Sequence, residues 1–178
     1  MKPEALQILI STERIRARVE ELAVRISTDH AHTKELFLVG VLRGSFIFLA
    51  DLVRRLSIPV RIDFVALSAY PDAASPSGEV RLLLDLRTPI AGKDVLVVED
   101  IVDTGSTLRF LLETLRPRGP ASLSTCSLLR KPDRLRADLR IDYVGFDIPN
   151  VWVVGYGLDL AGRHRALPYI GTVDAAGR

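Results

Sequence analysis

Two apolar rhythms alternate along the chain. From Thr12 onward Ile15, Val19, Leu22, Ala23 and Ile26 recur at spacings of three and four with Arg and Glu between them, which places one apolar stripe on a helix. Ser11 stands where it can cap that helix. Residues 36–42 then read LFLVGVL, a run too short and too uniformly apolar for a surface helix, so it predicts a buried strand ending in Arg43-Gly44-Ser45. Phe46, Ile47, Leu49, Ala50, Val53 and Leu56 form the next helical stripe, which stops before Pro59. Residues 60–67 alternate as a strand does, residues 80–84 resume as a strand, and residues 95–98 (VLVV) form a second fully apolar one. A helix is expected over 106–115, ending before Pro117, with further strands at 122–129, 143–146 and 151–155. Between them, residues 70–79 (YPDAASPSGE) offer no apolar face and predict a mobile loop of the kind that serves as a lid.

Apolar strands alternating with amphipathic helices specify an α/β domain with a mainly parallel sheet. Ligands bind such sheets at the carboxyl ends of the strands, which directs attention to the residues after Leu42 and Val98. At 178 residues the chain has the size of one domain, so a single domain over 1–178 is expected. A content of 48% hydrophobic and 26% charged residues with a net charge of +2 is that of a globular protein, without the basic excess of a dedicated nucleic-acid binder. No apolar run approaches the ~20 residues of a membrane span. Met1-Lys2-Pro3-Glu4 also lacks the features of a secretory signal, so a cytoplasmic location and no membrane partner are expected. Cys126, the single cysteine, lies in an apolar stretch and reads as a buried structural thiol, while His30, His32 and His164 show no metal-ligand spacing.

The chemistry gathers in residues 95–108, VLVVEDIVDTGSTL. Glu99 and Asp100 stand at the mouth of a buried strand, Asp103 follows, and Thr104-Gly105-Ser106-Thr107 lead into a helix. Carboxylates so placed suit a divalent cation or a ribose diol. Hydroxyls, a glycine and free N–H groups at a helix start form a phosphate cradle. Each residue alone also suits a plainer role, with solvated acids, a capping Asp103 and an ordinary turn; only the ordered set is specific. A Walker loop is excluded because GxxxxGK is missing, and Gly155-Tyr156-Gly157 lacks the third glycine of a dinucleotide fingerprint.

Residues 95–108 resemble the phosphoribosyl-pyrophosphate loop of the type I phosphoribosyltransferases. The resemblance extends through Leu42-Arg43-Gly44-Ser45, Leu128-Leu129-Arg130-Lys131-Pro132, residues 144–149 (VGFDIP), residues 153–159 (VVGYGLD) and residues 167–171 (LPYIG), and narrows to the bacterial hypoxanthine-guanine branch. It implies a mainly parallel twisted sheet flanked by helices, with a small hood built from the N- and C-terminal segments. By similarity Thr104, Gly105, Ser106 and Thr107 hold the 5′-phosphate. Glu99 and Asp100 lie beneath the ribose hydroxyls and, with Asp159, serve Mg²⁺, while Asp103 lies near N7 of the purine as general base. Leu42, Arg43, Gly44 and Arg165 take the pyrophosphate, with a non-proline cis peptide before Arg43. Lys131 donates to the 6-oxo group, Trp152 stacks on the base, the Val153 backbone meets its edge, and Asp159 acts beside it. Outside this pattern Lys131 reads as a surface lysine, Trp152 as a core aromatic and Asp159 as a turn residue. Two departures stand out: Ala69 precedes Tyr70 where the family's lid usually has Ser-Tyr, and Trp152 replaces the commoner phenylalanine.

The resemblance implies purine salvage, in which phosphoribosyl pyrophosphate and hypoxanthine or guanine give IMP or GMP and pyrophosphate. Xanthine is a further candidate base, and the expected assembly is a homo-oligomer, dimer or tetramer. A reading from another class is a non-catalytic regulator of the same fold that senses phosphoribosyl pyrophosphate and binds nucleic acid. The absence of an obvious basic stripe and the presence of both Asp103 and Lys131 weigh against it.

Overall fold

The computed structural model describes residues 6–69, 80–135 and 139–173. In chain order these form β1 (Gln7–Ile10), α1 (Thr12–Asp29), β2 (Leu36–Leu42), α2 (Phe46–Val53), β3 (Val60–Ala69) and β4 (Val80–Leu84). Then come β5 (Asp94–Val102), α3 (Ser106–Leu115), β6 (Ser122–Arg130), β7 (Tyr143–Asp147), β8 (Val153–Val154) and β9 (Ile170–Thr172). Six strands make the main sheet in the order β4-β3-β2-β5-β6-β7, parallel throughout except for β4, which runs antiparallel to β3.

The uniform apolarity of β2 and β5 follows from cover on both faces. Leu36, Leu38, Leu96 and Val98 point into a core shared with α1 and α2; Phe37, Val39, Val95 and Val97 point into a second core beneath α3. The α1 stripe of Ile15, Val19, Leu22, Ala23 and Ile26 is buried as its spacing requires, and the Ser11 hydroxyl accepts from the Arg14 N–H at 3.4 Å to cap it. Cys126 is buried in the first core, where desolvation pushes its thiol up to about 12.

Three sequence expectations change. The apolar strand over 95–98 continues to Val102, because Glu99, Ile101 and Val102 keep pairing with Ser127, Leu129 and Arg130 of β6, so Glu99 and Asp100 sit within a strand and not after one. The strand expected over 151–155 shrinks to Val153–Val154: Gly155 adopts φ 98° and closes a tight bridge to Leu158. That short strand belongs to a separate antiparallel sheet, ordered β1-β9-β8, whose other members the hydrophobic pattern had not indicated. The Tyr156 hydroxyl donates to Asp51 of α2 at 2.6 Å and ties this smaller sheet's connection to the main body. Among the described residues no helix is long and apolar enough to cross a membrane. The lid expected over 70–79, with Tyr70, lies outside the described residues, and Ala69 ends β3.

Candidate active site

Because β2, β5 and β6 are parallel, their carboxyl ends open on one edge of the sheet, where three loops converge. A cavity of about 240 Å³ lies there, lined by Arg43, Gly44, Asp100, Thr107, Asp159 and Arg165 among others. A larger hollow of about 460 Å³, lined by Lys34, Arg61, Lys93 and their neighbours, sits at the opposite ends of the strands and holds none of the candidate site residues.

The loop after β2 turns sharply, and its Leu42–Arg43 peptide bond is cis, as the resemblance implies. Gly44 then passes so close to β5 that a Cβ there would lie 1.4 Å from Asp100 Oδ2. From the far side Gly157 presses on the same loop, since its own Cβ would lie 2.0 Å from the Gly44 carbonyl oxygen. Two glycines thus let the Asp100 side chain and the hood backbone close on the turn from either side. Arg165 reaches over this stack, donating to the Gly157 carbonyl at 2.6 Å and pairing with Asp159 at 2.6 Å. The Asp159 carboxylate also accepts the Gly162 N–H at 2.7 Å.

Glu99 is buried and Asp100 opens partly to the cavity. Burial raises the Glu99 carboxyl well above the ordinary carboxylate range, and the neighbouring Asp100 charge adds to the rise. Asp100 is pushed up to about 6, again chiefly by burial, with partial relief from backbone hydrogen bonds and the Arg165 charge. Two adjacent carboxyls that resist ionising are a floor suited to a cation or to hydroxyl donors.

The turn into α3 leaves its first N–H groups without helical partners. Gly105, at φ 83°, turns the chain into α3, and the first helical bond runs from the Arg109 N–H to the Gly105 carbonyl at 2.9 Å. The N–H groups of Thr107 and Leu108 therefore precede the helical ladder, at the positive end of the dipole. Thr104 Oγ1 and Ser106 Oγ lie 3.0 Å apart across the same turn.

On the β6 side the Lys131 N–H continues the ladder to the Val102 carbonyl at 3.0 Å, so Lys131 leaves the sheet directly beside the acidic loop. Its side chain is buried, with Nζ 3.1 Å from Asp103 Oδ2 and 5.8 Å from the Trp152 ring centroid. Trp152 is 57% exposed, so it is an open aromatic face and not the core residue its type suggests; the adjacent Val153 is buried in β8. Arg134 contacts the other oxygen of Asp103. Burial pushes the Asp103 carboxyl upward, yet the hydrogen bonds from Arg134 and Lys131 together outweigh it and hold the group below its ordinary range. The hydrophobic pattern gave no hint of Arg134; its signal is the spacing of three from Lys131 across Pro132.

A helix start with free N–H groups beside an acidic floor, at the carboxyl edge of a parallel sheet, is the arrangement of a site for a phosphorylated ligand. Residues 7–160 match the phosphoribosyl transferase domain, and the chain belongs to that family. It is 47% identical over 168 residues to the hypoxanthine-guanine phosphoribosyltransferase of Dictyostelium discoideum, covering 93% of each chain. It is 42% identical over 176 residues to that of Bacillus subtilis strain 168, covering 99% of this chain and 97% of the other. The structure of Trypanosoma cruzi hypoxanthine phosphoribosyltransferase in complex with the product IMP superposes with a TM-score of 0.90 at 41% identity, covering 100% of this chain and 98% of that one. Within the family the chain groups with this hypoxanthine-guanine branch.

Proposed function

We propose that this protein transfers the phosphoribosyl group of phosphoribosyl pyrophosphate to N9 of hypoxanthine or guanine, giving IMP or GMP and pyrophosphate in purine salvage. The observation that carries the reading is the Lys131–Asp103 pair at 3.1 Å beside the phosphate cradle. A 6-oxopurine presents its carbonyl and N7 on one edge, and an ammonium beside a carboxylate complements that edge. Lys131 donates to the 6-oxo group and Asp103 accepts the proton at N7 as N9 becomes the nucleophile. The exposed face of Trp152 stacks on the ring, with the Val153 backbone at its edge.

The helix start at Thr104, Gly105, Ser106 and Thr107 binds the 5′-phosphate. Glu99 and Asp100 accept from the ribose hydroxyls. The turn at Leu42, Arg43 and Gly44, with Arg165, receives the pyrophosphate, whose developing charge the two guanidinium groups stabilise. Lid residues Ala69 and Tyr70 belong to the same reading, as cover over the sugar.

The donor set fits Mg²⁺: all the nearby ligands are carboxylate oxygens, and those of Glu99 and Asp100 are short of compensating charge. Mg²⁺ commonly keeps several waters and is held by one or two carboxylates together with substrate phosphates. Asp100 and Asp159, with Glu99 behind, would hold it, and it would supply positive charge to the leaving pyrophosphate. A cytoplasmic homo-oligomer completes the reading.

The test is nucleotide formation from phosphoribosyl pyrophosphate and hypoxanthine, with Mg²⁺ and then with excess chelator. IMP is expected in the first case and not in the second. Undiminished turnover in chelator would remove the metal assignment, and no IMP in either would remove the function.

A further inference from the structure

Asp103 carries a cation on each oxygen, Lys131 on Oδ2 and Arg134 on Oδ1. Both cations come from one short segment. Lys131 follows β6 directly and caps a 3₁₀ turn over Pro132–Arg134, closed by the Arg134 N–H to the Lys131 carbonyl at 3.1 Å. Lys131, extended at the start of this turn, and Arg134 at its end reach the same carboxylate as a pair of jaws. The turn is itself seated on the phosphate loop, because a Cβ on Gly105 would meet Leu139 at 2.6 Å and Leu135 at 3.1 Å.

The two jaws differ in freedom. Lys131 is buried and faces Trp152, whereas Arg134 lies at the rim with its side chain 42% exposed. An ion pair that exposed adds little to stability, so its placement calls for another account. On the reading above, on which this inference rests, Lys131 must turn from Asp103 to the carbonyl of the incoming base. One oxygen of Asp103 is then released to meet the purine proton, and only Arg134 still fixes the other.

We propose that Arg134 is a positioning residue: it anchors Oδ1 of Asp103 so that the carboxylate keeps its orientation when Lys131 transfers to the purine. Arg134 itself touches no reacting atom. The chain thereby separates two tasks that a single lysine cannot perform at once, recognising the base and holding the proton acceptor.

A double-mutant cycle tests this with Arg134→Gln, Asp103→Asn and the pair, in the full-length enzyme with hypoxanthine. Arg134→Gln should lower kcat about 10- to 100-fold, the range of a lost charged hydrogen bond, while the KM for phosphoribosyl pyrophosphate and Tm stay near wild type. Arg134→Lys should recover part of the loss, since it keeps the charge without the fork. In the Asp103→Asn background Arg134→Gln should change kcat less than about twofold, because the carboxylate it serves is gone. An equal fold loss in both backgrounds would overturn the role of Arg134 and leave that of Asp103 standing. Wild-type turnover in Asp103→Asn alone would overturn both. If Arg134→Gln melts early, Arg134→Lys is compared in the two backgrounds by the same criterion.

Discussion

In the proposed reaction Asp103 has two jobs that a close isostere can separate. It sits between β5 and α3, where an amide would fill the same space, but an amide cannot take a proton from the purine. Asp103→Asn should therefore lower nucleotide formation by about 10²–10⁴-fold, the usual worth of a general base, with affinity for phosphoribosyl pyrophosphate nearly unchanged and Tm lowered because the buried Lys131 loses its counter-charge. Near-normal turnover would make the residue a structural one. Gly44 makes the opposite kind of demand. With Asp100 Oδ2 1.4 Å from where a Cβ would stand, Gly44→Ala must displace either the turn or the acid. It should destabilise the fold by about 1–3 kcal/mol and raise the KM for phosphoribosyl pyrophosphate, as calorimetry and kinetics would show. At this scale much was legible: Glu99, Asp100, Asp103 and the Thr104–Thr107 run declare themselves by order and residue type. Arg134 did not, because its role depends on a 3₁₀ turn that brings it beside Lys131 in space. Trp152 was legible only through the resemblance, since nothing in an apolar neighbourhood marks an aromatic residue as 57% exposed.

Among the elements, the buried strands were the easiest to read and the smaller sheet the hardest. β2 and β5 are covered on both faces, so their apolar runs are continuous and their length excludes a helix. β1, β8 and β9 have 4, 2 and 3 residues, too few for a period of two to register against the background. They cohere only through long-range pairing, Gln7 with Thr172 and Val153 with Thr172, which no local window contains. The continuation of β5 through Glu99 and Asp100 was hidden for a related reason. Acids inside a strand look like a strand's end until their partners in β6 are known. The start of α3 yields a test of the phosphate cradle. Gly105 holds φ 83°, a region that costs other residues about 1–3 kcal/mol, and a methyl group there would also meet Leu139 at 2.6 Å. Gly105→Ala should lower Tm and weaken phosphoribosyl pyrophosphate far more than hypoxanthine, measured as separate KM values. Equal weakening of both would place the cradle's function elsewhere.

For the molecule as a whole, the buried acids couple stability to pH. Asp100 titrates at about 6 in the folded chain against an ordinary 3.8, so the folded state binds this proton more tightly than the unfolded one. Its contribution is therefore most favourable below about pH 4, declines as pH rises toward 6, and is flat above; Glu99 acts in the same direction. Removing the carboxylate should remove the decline. The Tm of Asp100→Asn in metal-free buffer should gain on wild type between about pH 4 and pH 6, and added Mg²⁺ should narrow the gap by stabilising the wild type alone. A difference that does not change with pH would mean that Asp100 is ionised without cost.

If the Lys131–Asp103 pair reads a 6-oxopurine edge, the enzyme must discriminate between bases at the 6-position. Adenine turns a 6-amino donor toward the Lys131 ammonium, leaving two donors opposed and both unsatisfied. Sites that hydrogen-bond a substrate group reject analogues lacking it by about 10⁴–10⁵-fold. The decisive measurement is kcat/KM for pyrophosphate release from phosphoribosyl pyrophosphate with hypoxanthine, guanine and adenine in turn. Turnover of the first two and a preference of that order over adenine are expected; adenine used within about tenfold of hypoxanthine would mean that Lys131 and Asp103 do not read the 6-position.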